Sequence, residues 1–100
     1  MVVFAVEPAV VGASAVSQAG LAAQHGAGVA GCAAALVGVV PMGEVADSAA
    51  FAGVLAGVGA AYVSAAGEHA AARGVFSDAQ SGAAGMTVAS EALRAAAMTL

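Results

Sequence analysis

FAGVLAGVGAAYVSAAGEHAAARGVFSDAQSGAAGMTVASEALRAAA, residues 51–97, is the stretch whose reading decides the fold. Alternating steps of four and three pick out Phe51, Leu55, Val58, Tyr62, Ala65, His69, Ala72, Phe76, Ala79, Ala83, Met86, Ser90, Leu93 and Ala97. Apart from Val54, Val63, Val75 and Val88, every large apolar side chain of the stretch lies on that line. A step averaging 3.5 residues keeps returning to nearly the same side of an α-helix, so the line is a narrow seam. A strand would need alternation by two, and the stretch has none. It predicts one long helix with a seam that seeks a partner.

Upstream, Pro8 suits the first turn of another helix, where its missing N–H costs nothing, and Glu7 beside it favours the positive helix end. The helical pattern then runs over about 8–37. Val10, Ser14, Ser17, Leu21, His25, Val29, Cys32 and Leu36 form one seam at steps of three and four. A second line, Val16, Gly20, Ala23, Ala27, Ala30, Ala34 and Val37, holds almost only small residues. Small residues in register permit close backbone approach, so this second line is expected to face the other helix or a tight neighbour.

Between the helices, Gly38-Val39-Val40-Pro41-Met42-Gly43 breaks the pattern. Pro41 removes a donor and pushes Val40 toward extended geometry, and the flanking glycines are expected to supply turn freedom. With the turn at 38–46, Asp47 or Ser48 is the expected N-cap of a second helix over about 47–97, weakened near 82–85 by Gly82 and Gly85. A short connection between two long helices makes an antiparallel hairpin, so the fold class is all-α. A turn centred near Met42 would set His25 against the neighbourhood of Gly59 and His69 against that of Ala15. The two histidines would then not meet.

Hydrophobic residues make up 62% of the 100, but with only four aromatic side chains most of that mass is alanine and valine. Alanine supplies helix propensity while burying little area, and fourteen glycines work against the helices. A lone chain should therefore need company. The net charge of −4, with Arg73 and Arg94 the only cations, leaves nothing to neutralise phosphate and argues against nucleic acid. Met1–Val6 lacks the basic residues of a cleavable signal peptide. Ser48–Gly67 is uncharged and carries Gly53-x-x-x-Gly57, a spacing that suits close helix contact in lipid. Alanine and glycine stand there in place of leucine and isoleucine, however, and no aromatic belt or basic cluster flanks the stretch, so membrane insertion is not expected.

The residues offer little chemistry. The histidines lack carboxylate or thiol at ligand spacing, so no metal is expected. Cys32 on a helical seam reads as a small buried hydrophobe without the basic neighbour a nucleophile needs. The acids stand singly, the glycines form no phosphate loop, and neither catalysis nor a cofactor is expected.

An alanine-rich hairpin of about this length, with Gly38-Val39-Val40-Pro41 at the joint and an acidic helix start at Glu44 and Asp47, resembles the PE domain of mycobacterial type VII (ESX) secretion. The likeness covers nearly the whole chain. Two positions depart from the family pattern: its Pro-Glu pair appears inverted as Glu7-Pro8, and its export signal, a tyrosine followed four residues later by an acid, falls on Thr87 and Glu91. The resemblance implies lengthwise pairing with a PPE-type protein into a four-helix bundle, with a secretion chaperone gripping the partner. It also implies a cytoplasmic stage before export to the surface or medium. Periodicity, independently, nominates Leu21, Val29, Phe51, Leu55, Val58, Tyr62 and Phe76 for the partner interface. Alternatives are a self-associating ESX-secreted hairpin and a small membrane-inserted hairpin.

Overall fold

A computed structural model describes residues 4–99. It has two helices and, among the described residues, no strand: α1 (Pro8–Val37) and α2 (Ala46–Met98). The amides of Val10 and Val11 donate to the Glu7 carbonyl, which places Pro8 at the first helical position, where a proline loses nothing. At the start of α2 the amides of Ser48 and Ala49 donate to the Val45 carbonyl. The cap is therefore Val45, earlier than the expected Asp47 or Ser48. Asp47 instead sits within the first turn, where its charge suits the positive helix end. Helix α2 runs unbroken through Gly82 and Gly85.

The chain divides into two compact units, one of Ala22–Ala72 and one of the residues up to Leu21 together with those from Arg73 onward. In the first, the second half of α1 lies antiparallel to the first half of α2. His25 stands against His69, and the Leu36 carbonyl lies where a side chain on Gly59 would have to go. His25 thus meets a residue ten positions beyond the expected Gly59, and the expectation that the histidines stay apart is overturned.

The linker supplies the reason. Residues 38–45 hold no helical turn, and Val39 shares one depression with Leu55 and Val58 while Val40 and Met42 share another with Phe51 and Ala52. The linker therefore runs beside the opening turns of α2. Extended backbone advances about 3.3 Å per residue against about 1.5 Å in a helix, so a few linker residues span many helical ones and slide the register. No glycine among the described residues has a positive φ, contrary to the expected turn freedom. Gly38 is needed for space: its amide donates to the Ala34 carbonyl, and a Cβ would stand 2.7 Å from that oxygen.

In the other unit two polar contacts tie the helices. The Ser77 hydroxyl donates to the Ala15 carbonyl at 2.7 Å, and Gln80 Nε2 donates to the Ser14 hydroxyl at 3.0 Å. The buried apolar residues of the two units are all alanines: Ala15 in this one, Ala52 and Ala66 in the other. On α1 the side turned inward carries Val11, Ala15 and Gln18 in one unit and Ala22, His25, Val29 and Leu36 in the other. The line expected to face α2, from Val16 through Gly20, Ala23, Ala27, Ala30 and Ala34 to Val37, is exposed throughout. The inward side is bulkier than this line, carrying Val11, Gln18, His25, Val29 and Leu36. It adds Ala15 and Ser14, whose oxygens receive the hydrogen bonds of Ser77 and Gln80.

Candidate functional site

The inward line of α2 follows a simple rule. In the unit of Ala22–Ala72 it runs through Ala52, Ala56, Gly59, Val63, Ala66 and Ala70, each buried or half-buried. Each stands one residue after a member of the seam read from the sequence: Phe51, Leu55, Val58, Tyr62, Ala65 and His69, all exposed. The other unit repeats the offset, with Ser77, Ala84 and Thr87 inward and Phe76, Ala83 and Met86 outward. One residue is about 100° around a helix, so small and large side chains occupy neighbouring stripes of α2. The hairpin consumes the small stripe. The large one keeps its surface, with Phe51 62%, Tyr62 54% and Phe76 53% exposed.

Of the residues nominated for a partner interface, Phe51, Leu55, Val58 and Tyr62 are brought together on α2 within one unit. Two depressions of about 370 and 410 Å³ meet there at Val39 and Leu55, walled by Phe51 on one side and by Val58 and Tyr62 on the other. Val29, on α1 of the same unit, is half-buried. Leu21 and Phe76 are exposed in the other unit. In the linker, Val39 is half-buried while Val40 and Pro41 are exposed. Gly53 and Gly57 face open space, so that spacing serves no contact within the hairpin.

Thr87 and Glu91 lie one turn apart near the end of α2. The Thr87 hydroxyl donates to its own helix at Ala83, and the Glu91 carboxylate accepts from Arg94 at 2.9 Å. Both border a depression of about 680 Å³ whose other wall is Phe4–Val6.

Sequence reasoning missed the Ser14–Gln80 and Ser77–Ala15 ties and the approach of the two histidines, whose ring centres lie 5.5 Å apart. Of the first, only the place of Ser77 on the inward line of α2 was within reach, because it continues the 3.5-residue line of Ala52, Gly59 and Ala66. The second depends on the linker's path. Contrary to the burial expected of it, the Cys32 thiol is exposed and donates weakly to the Val29 carbonyl. Among the described residues, no three or more His, Cys, Asp or Glu side chains are grouped to hold a metal ion. Both helices are long and apolar enough to cross a membrane, a property shared by core helices of soluble proteins and by export sequences.

No family model, no curated protein and no solved structure matches this chain.

Proposed function

We propose that this chain is a non-catalytic helical hairpin that pairs lengthwise with a PPE-type helical polypeptide and is exported with it by type VII secretion. The secretion chaperone then engages the partner, not this chain. One observation carries the pairing: intrachain packing uses the alanine and glycine stripe of α2 and leaves Phe51, Leu55, Val58 and Tyr62 uncovered. An exposed row of large apolar side chains along a helix is the surface a partner helix packs against, here over a four-helix bundle. The PE-like turn Val39-Val40-Pro41 and the near-complete match in length support the choice of partner class.

The test is co-expression with a PPE-type protein encoded beside it, followed by co-purification. Wild-type chain should form a one-to-one complex. The double variant Leu55→Asp, Tyr62→Asp should lose it, because burying unpaired carboxylates is prohibitive. Unchanged pairing of the double variant would place the interface elsewhere. The length and apolarity of both helices favour one other reading, insertion of the hairpin into a bilayer. Partition into detergent fractions with or without the partner would support that reading and overturn the first.

A further inference from the structure

The meeting of His25 and His69 carries a consequence independent of any partner. Both belong to the unit of Ala22–Ala72, one from the middle of α1 and one from the middle of α2. Their rings lie edge to face, 5.5 Å between centres at an interplanar angle of 68°. His25 Nε2 is buried and has no hydrogen-bond partner, an arrangement that costs free energy unless something occupies its lone pair or takes its proton. His69 is exposed, so one member of the pair stands open to solvent.

We infer that His25 and His69 form a two-histidine site for a divalent transition-metal ion of the zinc, nickel or copper class, with water filling the remaining positions. Imidazole nitrogen is the ligand these ions favour. With Zn–N of about 2.0–2.1 Å, each ring centre sits about 3.2 Å from the ion, so two imidazoles on one tetrahedral ion have centres roughly 5 Å apart. The observed separation matches that span. The terminal torsion of histidine is soft, which favours turning a ring toward a shared ion. The positions one turn away are Leu21, Ala22, Gly28 and Val29 on α1 and Ala65, Ala66, Ala72 and Arg73 on α2. None is a carboxylate or thiol, so two protein ligands define the site. Binding would clamp the middle of α1 to the middle of α2.

The test uses the tag-free full chain, alone or with the polypeptide that keeps it in solution, titrated calorimetrically with zinc chloride and melted by circular dichroism. One ion per chain should bind, and at free zinc a hundred times Kd the folded-to-unfolded ratio should rise about a hundredfold. His69→Gln removes an exposed side chain and leaves the packing of α1 intact. Losing a ligand costs at least as much as losing an outer support, roughly ten- to a hundredfold in affinity, and His25→Gln should do the same. Cobalt(II) should give an absorption band in wild type that both variants lack. Equal zinc affinity in wild type and His69→Gln, no binding at millimolar zinc, or half an ion per chain would each overturn the proposal.

Discussion

The Ser77 hydroxyl reaches the Ala15 carbonyl at 2.7 Å, a buried contact between residues that are 62 positions apart. That carbonyl belongs to the interior of α1, so the Ser77 hydroxyl donates to the oxygen's second lone pair and ties the helices without breaking either. Ser77→Ala should therefore cost about 1 kcal/mol, the net worth of one hydrogen bond. Ser77→Val should cost more, about 1–3 kcal/mol, by overpacking a line otherwise built of alanine. Urea denaturation followed by circular dichroism measures both, and equal stability of the three proteins would mean that the contact does not hold the register.

Gly59 and Gly57 make opposite predictions from the same residue type. A methyl on Gly59 would overlap the backbone of Leu36, while a methyl on Gly57 meets nothing within 4 Å. Gly57→Ala should stabilise the hairpin by about 1 kcal/mol through helix propensity alone. Gly59→Ala gains the same propensity yet should lower the melting temperature, because backbone must move to admit it. Two stabilised variants would show that the end of α1 does not approach α2 at this point.

Phe51 and Phe76 are exposed in their respective units. Phe51→Ser with Phe76→Ser should therefore leave helix content and melting of the isolated chain nearly unchanged, within the usual ~0.5 kcal/mol of surface changes. The same pair should reduce binding of a hydrophobic dye and concentration-dependent association. A large loss of helicity would show that these rings close an internal core.

The Glu91–Arg94 pair is solvent-exposed on both sides. Arg94→Ala should shift stability by no more than about 0.5 kcal/mol, and less in high salt. A larger effect in thermal melts would point to a role for Arg94 against Phe4–Val6, across the depression they share.

Helix identity was legible in the sequence because 3.5-residue spacing, Pro8 after Glu7 and the break around Pro41 all act locally. The register was not. It depends on whether residues 38–45 coil into a tight turn or run extended, and Val39-Val40-Pro41 states only a local backbone preference, not the distance the linker covers. Which line of α1 turns inward was equally hidden, because the small line through Val16 offers the closer approach while the side through Ala15 mixes alanine with Val11, Gln18, His25 and Leu36. Only Ser77 and Gln80, more than sixty residues away, distinguish them. The seam Phe51–Leu55–Val58–Tyr62 was legible as a surface, since its spacing and size are properties of α2 alone.

The one-position stagger between alanine lining and aromatic flank has one consequence. A point change at Phe51, Val58 or Phe76 alters the exposed face of α2 and leaves its alanine lining in place. Surface chemistry and internal packing of α2 are therefore separable, one substitution at a time.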